Sequence, residues 1–484
     1  MKKVIFSLSF FFLIYLIYND LPYKNTLSEY QFFLSIIRIV YYSIFIIYLV
    51  KLKKLSRIQF NENFKELIII CNTLIAVSLF IVIGIFTKFF VILHFIIYLY
   101  LFRISRANFF GIEQSYHQIL GIFFIFSNSN LYFSLDKLLQ IEKFFIYDDS
   151  TSLNFLVLSI SVCLVSGFYE KLNSNLWRSG KALSIFLNLP HIAKVKFSQT
   201  LEKIFLKNIF KKYFCYIALI NQALLFVLLI NDLRLLFYIG ELIFSICLAI
   251  LSPISYIAAT FTIIFSFLIT NELVNLNYIS FVQDLELEIN FYEFYFIKYL
   301  LGFLILNSLT SCFYNIPNFF KKINRYSLGL FPFDVYTEIH IYGIRVFKVS
   351  GFYNSKLIYN SLFEIYNEQG KVGPKNVWQP SIILGLTYKI TDICEKRLKK
   401  NSTQNDKKIL CSLFKNIIDL NRKKIGNTNT LKLYTKTINP TDHIDTEKNL
   451  IDKDWSEIAQ FKISEKKKFQ WTGLPSIANK IFRK

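Results

Sequence analysis

Residues 67–87 read LIIICNTLIAVSLFIVIGIFT, a run that no Asp, Glu, Lys, Arg or His interrupts. The hydrocarbon core of a bilayer is about 30 Å thick, and a helix needs roughly 20 apolar residues to cross it. The run meets that length. Apolar segments of the same kind flank it at 4–18, 33–50, 89–102, 108–128, 153–169, 213–231, 235–251, 253–270 and 296–315. Beyond Gly329 no run approaches spanning length. The chain therefore reads as an all-α polytopic membrane domain of about 8–10 transmembrane helices followed by a small soluble α+β domain. Residues 1–32 form an N-terminal anchor segment, 33–330 the transmembrane domain, and 331–484 the soluble domain with a basic tail. The first segment follows Met1-Lys2-Lys3, and Tyr15–Asp20 offers no small-residue cleavage site, so an uncleaved anchor is expected.

Composition agrees. The 484 residues are 54% hydrophobic and 18% charged, with a mean hydropathy of +0.41. A soluble domain has about 45–50% apolar and about 25% charged residues. One water-soluble domain is excluded, and so is disorder, which needs low hydrophobicity.

The chain carries 55 Lys+Arg against 33 Asp+Glu, a net charge of +22. Residues 331–484 hold 27 and 15 of these, or +12, and the first 330 hold 28 and 18, or +10. If all ten segments cross, the loops on one side hold 21 Lys+Arg and those on the other hold 5. Cytoplasmic loops carry the excess, so the rich side and the C-terminal domain are expected in the cytoplasm of a cell with a multi-pass protein in its membrane. This count needs 235–270 to be two tight spans hinged at Ser252-Pro253; one long tilted helix is the other reading. No nucleic-acid motif accompanies the charge, so nucleic acid is not an expected partner, whereas membrane lipid is. The seven cysteines form no Cys-x-x-Cys, the five histidines have no ligand spacing, and no metal is expected.

In the C-terminal part, Thr337–Val349 alternates as a strand does, with further strands expected at Leu357–Asn367 and Leu431–Ile438. Asn376–Arg397 and Asn405–Lys424 have helical periodicity. The tail from Lys466 mixes lysines with Phe469, Trp471 and Phe482, a pattern that binds anionic headgroups or is simply solvated.

Ionisable side chains inside a bilayer are costly and mark function or pairing. Arg38 stands mid-segment, either holding an anionic group or snorkelling. Glu113 and His117 lie four apart on one helix face, as a proton relay or as an interfacial helix start. His94 reads as a structural histidine, and Glu241 heads a later apolar segment. The densest constellation is Ser166–Leu183, SGFYEKLNSNLWRSGKAL, where an apolar span ends in Lys, Trp, Arg and Gly. A lysine packed by aromatics at a membrane mouth is a candidate base; Lys and Arg snorkelling beside an anchoring Trp is the plainer reading.

This constellation resembles the signature of the HTTM family, bacterial membrane proteins related to vitamin K-dependent gamma-carboxylase. The matching residues are Gly167, Lys171-Leu172, Trp177 and Gly180-Lys181-Ala182-Leu183. Upstream, Tyr132-Phe133-Ser134-Leu135-Asp136 is similar to the family's Tyr-Ser-Leu-Asp stretch, and His117 to the histidine before it. Arg38 and Glu241 also fit, so the likeness covers about residues 30–320. It implies a quinol-dependent, carboxylase-like enzyme of a bacterial inner membrane. Lys171 would be the base that deprotonates a reduced quinone of the vitamin K hydroquinone type, with O2 and CO2 as co-substrates and a peptide or protein as acceptor. His117 would stabilise the oxyanion, and Glu113, Asp136, Trp177, Arg178 and Arg38 would line the pocket. The alternative is a non-catalytic membrane protein for peptide or toxin maturation, export or immunity, whose soluble domain binds a partner.

Overall fold

A computed structural model describes residues 2–19, 27–56, 64–104, 111–139, 149–180, 182, 212–213, 215–223, 233–251, 255–275, 291–330, 344–362, 428–438, 455–463 and 469–471. Each of the ten apolar segments is helical over most of its described length. The helices are α1 Lys2–Asn19, α2 Leu27–Ser56, α3 Phe64–Ile83, α4 Thr87–Ile104, α5 Gly111–Ile125, the short α6 Leu135–Leu138, α7 Asp149–Asn173 and the short α8 Asn175–Arg178. A helical stretch at 215–223 follows. Then come α9 Arg234–Leu251, α10 Ser255–Asn275, α11 Phe291–Phe313 and α12 Asn318–Tyr326. Four described helices are long and apolar enough to cross a membrane: Tyr30–Val50, Glu66–Ile83, Asp149–Asn173 and Tyr295–Phe313. Ala258–Leu273 is apolar but shorter.

Segment 235–270 is two helices, and they pair antiparallel: Arg234 at the start of α9 lies 3.4 Å from Glu272 near the end of α10. Elsewhere, chain neighbours also pack side by side, α2 on α3, α3 on α4 and α4 on α5. Short turns force that arrangement. Between α3 and α4 only Gly84, Ile85 and Phe86 intervene, and Gly84 has φ +78°, which costs glycine little. α7 is enclosed along Thr151–Ser166 and packs on α1, α5 and α11.

The bundle buries polar side chains beside its apolar core and turns apolar stripes outward. Gln31, Ser35, Arg38, His94, His117, Lys171 and Glu241 are buried. Apolar stripes face outward: Val4, Leu8, Phe11, Tyr15 and Tyr18 on α1, Phe89, Ile92, Ile96 and Tyr100 on α4, and Leu236, Ile239, Ile243 and Ile246 on α9. The spacing of three and four residues within each stripe is one face of an α-helix.

The C-terminal part contributes a five-stranded antiparallel sheet in the order β2-β1-β3-β4-β5. Its strands are β1 Ile344–Tyr353, β2 Lys356–Leu362, β3 Thr430–Ile438, β4 Ser456–Ile463 and β5 Phe469–Trp471. Asn354 and Ser355, both at positive φ, make the two-residue β1–β2 turn whose twist suits a hairpin. Three strands match the sequence reading within several residues. β4 and β5 were not expected, and Phe469 and Trp471 belong to an edge strand paired with β4 rather than to a free tail. The expected helices at 376–397 and 405–424 lie outside the described residues, as does the rest of the basic tail.

Candidate functional site

Lys171 lies in the last turn of α7 and is buried, with 8% of its surface exposed. Its Nζ donates to Gln222 Oε1 at 2.9 Å and stands 5.0 Å from the centre of the Trp177 ring. Glu241 on α9, 2% exposed, is within electrostatic range of the ammonium, and its Oε1 accepts from Asn221 Nδ2 at 2.5 Å. Consecutive residues of the 215–223 stretch thus hold Lys171 and Glu241.

The local sequence explains how the site is held. Ser174 interrupts the helix, and α8 turns the chain so that Trp177 comes back against Lys171. Gly180 then takes φ +72°, and its missing side chain lets Lys212 approach: a Cβ there would sit 2.9 Å from the Lys212 Cα. Cys215 Sγ donates to Gly180 O at 3.6 Å, and Tyr216 Oη to Arg178 O at 3.0 Å. Trp177, Ala182, Cys215 and Leu219 close one small core, with Phe168 and Leu172 against it. The residues Lys171, Trp177, Gly180 and Ala182 therefore form one local unit. Lys181 and Leu183 lie outside the described residues.

Two features of this unit suit a ligand with a hydroxyl or carbonyl oxygen. Trp177 Nε1 and the Ser174 hydroxyl are both buried and, among the described residues, have no hydrogen-bond partner. Native proteins pair such groups, so a buried orphan donor needs an explanation. Gly167 precedes Lys171 by four positions and so shares its helix face. Among the described residues a Cβ added at Gly167 meets nothing within 4 Å, so among them this face is open one turn from the amine.

The other predicted residues fall elsewhere. His117 on α5 hydrogen-bonds the Tyr41 hydroxyl through Nδ1 and stacks on Phe45 at 4.2 Å, with Tyr98 at 3.8 Å and His94 at 5.3 Å between ring centres. Among the described residues none of these partners also touches Lys171, so Lys171 and His117 are not brought together. The adjacent Tyr116 takes the opposite side: it packs against Phe261 and lies near Cys163 on α7 and Glu241. Glu113 is in the first turn of α5, and its side chain lies outside the described residues. Arg178 is exposed and bonds Asn175.

Asp136 and Arg38 belong to a polar knot at the opposite end of the bundle, about 33 Å away along α7. Asp136 caps α4. Its Oδ1 accepts from Phe86 N at 2.6 Å, and its Oδ2 from Thr87 N at 2.8 Å and Thr87 Oγ1 at 2.6 Å. Arg38 Nη2 donates to Phe133 O at 2.8 Å. Asp149 at the start of α7 accepts from Asn128 N and from Gln31 Nε2, at 3.0 and 2.9 Å. Lys88 donates to Ile125 O at 3.2 Å and to Ser127 O, tying α4 to the end of α5. These contacts satisfy helix ends and fix the 126–139 loop, and they are structural.

Sequence reasoning missed Gln222, Asn221 and Asp149. The signal for the first two was present, since Asn221-Gln222 is the polar pair inside apolar segment 213–231. No metal-holding group of three or more His, Cys, Asp or Glu occurs among the described residues. No family model, curated protein or solved structure matches the chain.

Proposed function

We propose that the chain is a multi-pass membrane protein of a bacterial inner membrane whose Lys171 is the proton acceptor of a quinol-dependent, carboxylase-like reaction. The supporting observation is the Lys171 unit itself: a buried amine fixed by Gln222, faced by Trp177, balanced by Glu241, and open along its own helix face at Gly167. The outward apolar stripes support the membrane placement, because exposed apolar surface on that scale is tolerated in lipid and not in water.

A reduced quinone of the vitamin K hydroquinone type would supply an acidic hydroxyl and, with O2 and CO2, the chemistry that the family resemblance implies. The residues to hold it are Lys171, Trp177 and Ser174, the last two as donors to an oxygen. Gln222 accepts one N–H of Lys171 and so directs the amine. When Lys171 takes a proton, the Glu241 carboxylate balances the new charge, and Asn221 keeps that carboxylate in place. Gly167 is the side door: a lipid-soluble molecule enters from the bilayer without passing through water. His117 has no part in this arrangement, and the oxyanion role passes to the two orphan donors. A peptide or protein acceptor would come from the cytoplasmic side if the charge asymmetry sets the topology.

The test is O2 uptake and CO2 incorporation into a glutamate-rich peptide, driven by reduced menaquinone, with full-length protein in nanodiscs. Lys171→Met should lower both rates roughly 10²–10⁴-fold, the usual worth of a general base. An undiminished rate in a folded variant contradicts the base role. The second reading, a non-catalytic protein of peptide maturation, export or immunity, is favoured by the close packing of His117 and by a sheet in which β2 is an edge among the described residues, where a partner strand could pair. It requires that Lys171→Met keeps full biological function.

A further inference from the structure

The nine residues of α12 read NFFKKINRY. One face of this helix is turned away from the bundle: Phe319, Lys322 and Tyr326 are exposed, and they are spaced three and four residues apart. Arg325, three residues after Lys322, widens that face on its basic flank, so cations edge one side of it and rings the other. Lys321 turns elsewhere, donating to Asn315 Oδ1, and takes no part. Along the chain the charge is of one sign: no Asp or Glu occurs between Glu293 and Asp334.

The opposite face is pinned. Asn324 is fully buried; its Oδ1 accepts from Ser308 Oγ at 2.7 Å and its Nδ2 donates to Leu330 O. Phe320 O accepts from Asn307 Nδ2 at 3.1 Å, and Arg325 O from Gln118 Nε2 at 3.0 Å. These bonds set the level of α12 as well as its orientation. Phe313 is the last residue of a helix long enough to cross a membrane, and Asn307 and Ser308 precede it by more than a turn. The helix α12 therefore folds back about 8 Å along the end of α11 instead of running on into water. Helices that lie in the interface plane sink roughly 5–10 Å into the headgroup–acyl boundary, with rings toward the chains and Lys or Arg toward the headgroups.

We infer that the outward face of α12 is a surface for anionic phospholipid headgroups. The inference rests on the membrane reading above and not on the Lys171 reaction. Lys322 and Arg325 reach phosphate oxygens, to which their N–H groups make charge-assisted hydrogen bonds. Phe319 and Tyr326 sit at the boundary beneath them. A choline headgroup offers the same phosphate but balances it with its own ammonium, whereas a glycerol headgroup leaves the negative charge to the two cations.

Photo-reactive benzoylphenylalanine in place of the exposed Phe319 reads what covers this face. Full-length protein carrying it is illuminated in nanodiscs of mixed phosphatidylglycerol and phosphatidylcholine, and the adducts at position 319 are identified by mass spectrometry. Glycerol-lipid adducts should exceed their bulk share roughly fivefold or more, the worth of at least one basic side chain beside an anionic surface. With Lys322→Gln and Arg325→Gln added, the adducts should return to the bulk ratio. Adducts already at the bulk ratio without those substitutions overturn the proposal, and so does an enrichment that survives them. Adducts to another protein or to a second copy of the chain overturn it too, as does folded protein with no adduct, which would leave the face in water. The same probe in place of Phe89, on the outward stripe of α4, keeps the two readings apart. Lipid adducts at 89 but not at 319 overturn this inference alone, and lipid adducts at neither position overturn the membrane reading with it.

Discussion

Lys171 and Asp136 are both buried ionisable side chains, yet they do different work. The Asp136 carboxylate accepts from Phe86 N, Thr87 N and Thr87 Oγ1 where α4 begins, so it is a cap. Asp136→Ala should cost about 2 kcal/mol, the upper part of the range for a lost cap, read as a lowered Tm in detergent with the spectrum of the folded protein unchanged. Among the described residues Lys171 has one hydrogen bond to a side chain and one ring beneath it, and the nearby Ser174 hydroxyl and Trp177 Nε1 have no hydrogen-bond partner. Gly167→Leu separates function from stability at this site. Among the described residues the position is open, and it is helical, so the substitution should be neutral or stabilise by up to about 1 kcal/mol, while blocking that face and cutting quinol-driven turnover at least tenfold. Full activity in Gly167→Leu would place the entry elsewhere. The sequence showed Lys171 and Trp177 as a pair because they are close along the chain. It could not show Gln222 or Glu241 beside them, since those contacts depend on how distant helices pack. Likewise it set His117 near Lys171 only by analogy, and helix α5 turns that ring toward α2 and α4 instead.

At the scale of elements, periodicity and length gave the helices, because an apolar run of membrane length has few other ways to satisfy its backbone. What they left open was the 235–270 segment. The Arg234–Glu272 pair decides it, binding the start of α9 to the end of α10 across a hairpin. Arg234→Ala leaves Glu272 buried without this cation and should cost about 3 kcal/mol, whereas removing both side chains should recover most of that; unfolding of the two variants in denaturing detergent measures the difference. Gly84→Ala tests the α3–α4 turn in the same way. Its φ is +78°, and a Cβ would lie 2.7 Å from the Ser134 Cα, so the turn and the 126–139 loop must separate, with a fall in Tm larger than that of Asp136→Ala. The sheet was less legible than the helices. β3 shows plain alternation, but its partner β1 is far back in the chain, and the register of β4 and β5 is set by that long-range pairing rather than by local pattern.

For the whole molecule, buried polar side chains together with outward apolar stripes set the pattern. Charged and amide side chains converge inside, apolar stripes face outward, and the polar knot and the Lys171 unit stand at opposite ends of α7. Cysteine introduced at exposed Leu138 should therefore react with an impermeant reagent from one side of intact membranes, and cysteine at Ser179 from the other. Labelling of both from the same side would break the bundle's orientation. The charge asymmetry further expects Ser179 on the cytoplasmic side. The central claim, a lipid-soluble quinol held at Lys171, is tested most directly by an organic extract of the purified full-length protein. Quinone near one molecule per chain in wild type, and its loss in Gly167→Leu, is the expected result; well-folded wild-type protein whose extract contains no quinone would contradict the account.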